Sequence, residues 1–107
     1  MKKFENIIIL KTRTKIENVE NLINDIKKTL SPENIKAFVF IGKRKLAYEV
    51  KGKKEGFYIF IQYEATDQTA RIELERIERL NEDILKFINI QVREFEQQEG
   101  AIKNVII

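Results

Sequence analysis

Phe57-Tyr58-Ile59-Phe60-Ile61-Gln62-Tyr63 is the densest aromatic and β-branched run in the chain, and reading it as a strand decides the fold. Polar Lys51-Gly52-Lys53-Lys54-Glu55-Gly56 precedes it and reads as a loop. On the far side of that loop Leu46-Ala47-Tyr48-Glu49-Val50 reads as strand again, so the two runs form a hairpin. Upstream, Ile35 to Ile41 carries apolar residues at both parities and leads into the same strand. Gly42 between the halves marks a bulge or bend, the usual meaning of a strand-interior glycine.

Outside this hairpin the periodicity alternates between strand and helix. Phe4 to Leu10 reads as a first strand. Thr14-Lys15-Ile16-Glu17 has the form of a capping box, with the Thr14 hydroxyl accepting from a backbone N–H three residues on. Ile16, Val19, Ile23, Ile26 and Leu30 then recur at helical spacing, and Ser31-Pro32 closes the helix. After the aromatic strand, Thr66 or Asp67 caps a second helix with Ala70, Leu74, Ile77 and Leu80 inward. Arg71, Glu75, Glu78, Arg79 and Glu82 point outward, with Arg71–Glu75 and Glu75–Arg79 at i, i+4. Ile84 to Val92 makes the last strand. The order β-α-β-β-α-β predicts an α+β, ferredoxin-like fold: a four-stranded antiparallel sheet with two helices on one face. Residues 1–95 make the domain. Residues 96–107, ending in apolar Ala101-Ile102-Lys103-Asn104-Val105-Ile106-Ile107, read as a C-terminal arm that either packs back or orders on a partner.

Composition narrows the chemistry. The chain has 107 residues, 43% hydrophobic and 35% charged, enough for one packed core. With no cysteine and no histidine, thiolate chemistry, disulfides and a Ser–His–Asp triad are excluded, and the natural location is cytoplasmic. The carboxylates lie at helix-surface spacings among Lys and Arg. No enzyme activity, cofactor, metal or small-molecule substrate is expected. No apolar run approaches the roughly 18 residues a membrane span requires.

Charge is concentrated. Residues 43 to 54 hold six basic residues and one acid, a formal +5 against +3 for the whole chain, so the remainder sums to −2. A basic patch beside aromatic strand residues is the footprint of a phosphate backbone. Two helices cover only one sheet face, yet the strands are apolar at both parities: Phe57, Ile59 and Ile61 oppose Tyr58 and Phe60, and Phe87 opposes Ile88. One set is expected to lie bare and to bind a partner protein or nucleic acid, unless loops or the tail fold over it.

Gly42-Lys43-Arg44-Lys45-Leu46-Ala47-Tyr48 resembles the Gly, basic, Leu-Ala-Tyr signature of the bacterial small-subunit ribosomal protein S-six family. Glu55-Gly56-Phe57-Tyr58, Arg79-Leu80-Asn81-Glu82-Asp83-Ile84-Leu85-Lys86-Phe87 and Met1-Lys2-Lys3-Phe4-Glu5 support the likeness, which spans residues 1 to 95. Glu49 stands where members commonly have Pro, and Ser31-Pro32-Glu33-Asn34 replaces a frequent glycine pair. The resemblance implies a non-enzymatic ribosomal protein, cytoplasmic and in the ribosome, that binds the central domain of small-subunit rRNA together with ribosomal protein S-eighteen. It also implies that the arm contacts that protein. The candidate RNA contacts are Lys43, Arg44, Lys45, Lys53 and Lys54, with Lys2, Lys3, Arg79 and Lys86 beside them. Lys43 and Lys45 are expected to face opposite to Arg44. The candidate partner contacts are Phe60, Phe87, Ile102, Val105 and Ile106.

Three other readings share the fold. An RNA-recognition motif would want Gly or Ala at Tyr58 and Phe at Ile59, and its companion motif is missing from the first strand. A regulatory or homodimeric ligand-binding module would use the apolar sheet face. An acyl-phosphate hydrolase would need a glycine-rich anion loop near the first strand, and none is present.

Overall fold

The structure, a computed structural model, describes residues 1–97. Its elements follow the order β1 (Lys2–Leu10), α1 (Ile16–Leu30), a 3-10 turn (Pro32–Asn34), β2 (Ile35–Val50), β3 (Lys53–Ala65), α2 (Thr69–Leu80) and β4 (Ile84–Val92). The strands form one sheet in the order β2-β3-β1-β4, every neighbouring pair antiparallel. This is the ferredoxin-like arrangement.

Two predicted features of the hairpin are present and one is shorter. Register shifts between Phe40 and Gly42, where Gly42 has φ 99°, so the glycine is a bulge inside a continuous β2. The turn is only Lys51-Gly52. Both residues have positive φ (51° and 77°), as a two-residue connection matched to strand twist requires. Lys53 to Gly56, expected as loop, therefore belongs to β3.

The helices differ from expectation by rotation. In α1 the buried residues are Leu22, Ile26 and Leu30, flanked by half-buried Val19. Ile16, expected inward, is 77% exposed. Nor does Thr14 form a capping box. Its hydroxyl donates to the Lys11 carbonyl at 2.7 Å, closing the preceding turn, and Lys15 is the N-cap without a side-chain bond. In α2 the inward positions are Ala70, Leu74, Ile77 and Glu78. Glu78, predicted outward, is buried, while Leu80, predicted inward, is 69% exposed at the helix end. Neither Thr66 nor Asp67 is the N-cap of α2: that position is Gln68, without a side-chain cap bond, and Asp67 one residue earlier accepts from the Thr69 N–H through Oδ1 at 2.9 Å. The Arg71–Glu75 and Glu75–Arg79 pairs form, at 2.8 and 3.9 Å.

Both faces of the sheet carry a core. Phe4, Ile8, Leu10, Ile59, Ile61 and Tyr63 pack under the helices. On the other face Ile7, Ile9, Tyr58, Phe60 and Leu85 form a second cluster with Val39, Ile41, Leu46, Val50 and Ile88. The bare aromatic face expected from the strand parity is thus enclosed. The distal hairpin curls over it, so that Leu46, Tyr48 and Val50 stand against Ile9 and Tyr58. Gly56 permits the close approach: a Cβ there would collide with the Ile9 side chain and lie 3.6 Å from Leu46. Gly56→Ala should cost about 1–3 kcal/mol of stability by overpacking. Urea unfolding checks this, and an unchanged midpoint would show that Ile9 can move aside.

Candidate nucleic-acid interface

The hairpin's register determines where its charges point. Lys43 pairs with Phe57, Arg44 with Gly56 and Lys45 with Glu55. Cross-strand partners share a face. Phe57 packs with the helix-side core. Lys43 and Lys45 therefore lie on the helix side, and Arg44 lies on the opposite side with Tyr58. Burial pushes the Tyr58 hydroxyl pKa up, and the Arg44 guanidinium pulls it back down.

The basic residues of the hairpin are accessible but not all unopposed. Lys45, Lys53 and Lys54 are exposed. Lys45 and Lys54 line one shallow hollow with Leu46, Tyr48 and Glu55. Lys43 reaches Glu55 at 3.7 Å, a solvent-exposed pair of the kind worth about 0–1 kcal/mol, which a phosphate can displace. Glu55 is thus the local counter-charge of the patch.

The secondary candidates divide between the two ends of the sheet. Leu10 pairs with both Phe57 and Ile84, so the hairpin, the start of β4 and the end of α2 share one end. Arg79 and Lys86 belong there. The Lys86 ammonium donates to the Tyr48 hydroxyl at 3.0 Å and sits 5.4 Å from its ring centroid, tying β4 to the curled hairpin. Arg79 is exposed beside Glu75. Lys2 and Lys3 stand at the opposite end, opposite Ala65 and Glu64. There Lys3 pairs with Glu94 at 3.3 Å and lies over the Phe95 ring. Of the nine predicted basic residues, seven thus lie toward the hairpin end of the sheet and two at the opposite end.

Of the predicted partner contacts, Phe60 is 2% exposed in the second core and Phe87 packs into the helix-side core. Phe60 is covered by the hairpin side, while Phe87 is half-buried beneath the helices. Ile102, Val105 and Ile106 lie outside the described residues.

Sequence reasoning missed a set of polar attachments on the sheet. The buried Glu5 carboxylate accepts from Gln62 Nε2 at 2.8 Å and from the Glu96 N–H at 2.9 Å, while Gln62 also donates to the Glu96 carbonyl. Residues 94 to 96 are thereby stitched to β1 and β3. The signal was an acid and an amide at the register pair Glu5–Gln62 within otherwise apolar strands. Also missed was an apolar hollow between α1 and the sheet, lined by Ile16, Val19, Ile23, Phe40 and Phe57, with Phe40 49% exposed.

Among the described residues no three carboxylates converge to hold a metal. The Tyr58 hydroxyl is buried without a hydrogen-bond partner among the described residues. Removing an unsatisfied polar atom relieves a desolvation cost, so Tyr58→Phe should be neutral or stabilising by about 1 kcal/mol. Thermal melts decide this. A loss of stability would mean that the hydroxyl is bonded in solution.

A family model described as Ribosomal protein S6 matches residues 3–91. Among curated proteins, the small ribosomal subunit protein bS6 of Helicobacter acinonychis (strain Sheeba) is 36% identical over 93 residues, covering 85% of this chain and 65% of the relative. That of Helicobacter pylori (strain ATCC 700392 / 26695) is 33% identical over 102 residues, covering 94% and 71%. The chain thus spans roughly two thirds of these relatives' length. Among solved structures, the 30S ribosomal protein S6 of Thermotoga maritima superposes with a TM-score of 0.77 at 27% identity, covering 95% of this chain and 97% of that one.

Proposed function

The chain belongs to the ribosomal protein S6 family of small-subunit proteins, structural rather than catalytic and cytoplasmic in the ribosome, and we propose that its work there is divided between RNA and protein contact. The β2–β3 hairpin grips the phosphate backbone of the central domain of small-subunit rRNA. The C-terminal arm, through Ile102, Val105 and Ile106, contacts ribosomal protein S-eighteen. The two proteins bind RNA as a pair.

The observation that carries the RNA half is the hairpin itself. It sets Lys43 and Lys45 opposite Phe57 and Glu55 and Lys53 opposite Val50, on a two-stranded ribbon with a register shift between Lys45 and Val50, closed by a two-residue turn and tied to β4 through Tyr48 and Lys86. Charges held on a rigid element lose little entropy on meeting phosphates, and each phosphate neutralised releases condensed counterions. Because Arg44 points to the opposite side from Lys43 and Lys45, the hairpin reaches RNA along its edge rather than through one flat face. The RNA contacts position the protein and carry no base readout.

Replacing Lys43, Arg44 and Lys45 together with Ala should weaken RNA binding by the protein pair. Its salt slope should fall by about one for each phosphate left without a cation, hence by about two to three. The fold should survive, because none of the three is part of either core. Filter binding to a central-domain fragment across a salt series, with circular dichroism as the folding control, measures both effects. An unchanged affinity and slope removes the hairpin from the interface. The same assay with and without S-eighteen tests the division of labour: salt-sensitive binding only when both proteins are present supports it. Failure to bind in either case overturns the RNA assignment.

A further inference from the structure

Where α2 sits on the sheet, a buried acid meets a buried amide. Asn6 of β1 and Glu78 of α2 are both buried, 72 residues apart in sequence. The Asn6 Nδ2 donates to Oε1 of Glu78 at 3.0 Å and to the Ile88 carbonyl at 2.9 Å. Both amide hydrogens are therefore used. Flipping the amide would set its oxygen against two acceptors, so its orientation is determined by chemistry. Among the described residues, two atoms at this junction then have no partner: Oδ1 of Asn6 and Oε2 of Glu78. Oδ1 can only accept, and an ionised carboxylate can only accept. A single proton on Oε2 converts that mismatch into a donor–acceptor pair.

We propose that Glu78 is a neutral carboxylic acid in the folded protein near neutral pH, its Oε2 hydroxyl donating to Oδ1 of Asn6, and that this two-bond acid–amide ring makes the seating of α2 on the sheet proton-dependent. Burial and Glu75 favour the neutral form, and none of the packed elements brings a cation to the carboxyl among the described residues. On α2, Glu75 adds a like charge, while Arg71 and Arg79 pair with Glu75. From β3, the Tyr63 hydroxyl donates to Asn89 of β4 at 2.7 Å, and burial pushes its own pKa up, keeping it neutral. Asn89 Nδ2 donates in turn to the Arg71 carbonyl at 3.3 Å. From α1 the residues in the core are Leu22, Ile26 and Leu30, none of which titrates. Among the described residues no cation pairs with Glu78, and an unpaired buried charge is costly.

Burial raises the Glu78 pKa from 4.5 to about 8, opposed in part by the Asn6 hydrogen bond. Between those values the folded protein holds a proton that the unfolded chain has lost. The stabilisation from this group is fully present below about pH 4.5, falls as pH rises, and is lost as pH passes about 8.

The test compares the full chain with Glu78→Gln, which keeps the shape and a neutral donor. Unfolding equilibrium constants are measured in urea from about pH 5 to about pH 8. The ratio of wild type to variant should grow on the order of a hundredfold across that range. Alongside, the side-chain carboxyl carbon of Glu78 is followed by NMR in the unmodified protein, where its titration midpoint should lie near 8. Parallel pH dependences in the two proteins, or a midpoint near 4.5, would overturn the proposal. If the Gln variant does not fold, the NMR midpoint alone decides.

Discussion

Burial of the two central strands on both faces is the constraint from which the rest of this structure follows. Every residue of β1 from Phe4 to Leu10 is buried, and so are Tyr58 to Ile61 of β3. A ferredoxin-like sheet has helices for only one of its faces. The second must be covered by something else, and here the long β2–β3 hairpin bends back across it. Along that hairpin lie a bulge at Gly42, a register shift between Lys45 and Val50, a tight turn at Lys51-Gly52, and Gly56, whose missing side chain leaves room for Ile9. The energetic basis of the bend is ordinary: a fully buried Ile or Tyr gains roughly 1.5–3 kcal/mol over an exposed one, which offsets the strain of curling the strand pair. The basic residues of the hairpin travel with the same bend.

The polar residues inside these apolar strands are the points where other parts of the chain attach. Asn6 receives α2 through Glu78, Asn89 receives it through the Arg71 carbonyl, and Glu5 with Gln62 receives the backbone at Glu96. Each bond is modest in net energy, about 1 kcal/mol, but a buried group that loses its partner costs more than the bond returned. Apolar packing alone would let α2 slide along the sheet. The buried acid and amides give it one register. The helix side is thus specified by pairing, and the hairpin side by shape.

Electrostatics is arranged on the outside in the opposite way. The helix carries its ion pairs among its own neighbours, Arg71–Glu75, Arg76–Glu73 and Arg79–Glu75, so α2 presents little unbalanced charge. The hairpin has Glu55 as a weak internal counter-ion to Lys43 and keeps most of its positive charge for solvent. The surface is thus balanced along α2 and unbalanced at the hairpin.

Much of this was legible in the residues. Helical spacing located α1 and the bulk of α2, the Gly42 bulge was visible as a glycine in an apolar run, and the last strand from Ile84 to Val92 was read to its ends. The basic window, and the opposition of Lys43 and Lys45 to Arg44, followed from strand alternation alone. These are properties of local period and composition, which the chain carries wherever it folds. What only the tertiary structure decided was which side of each element would be dry. Periodicity leaves a helix free to rotate by a residue, so Leu22 and Ile23, or Glu78 and Leu80, could not be ranked without their neighbours. Glu78 lies inward because Asn6 waits for it across the core, and Phe60 is covered because a hairpin built from other residues is long enough to reach it. The physical reason is that burial belongs to pairs of elements, while propensity and charge belong to one.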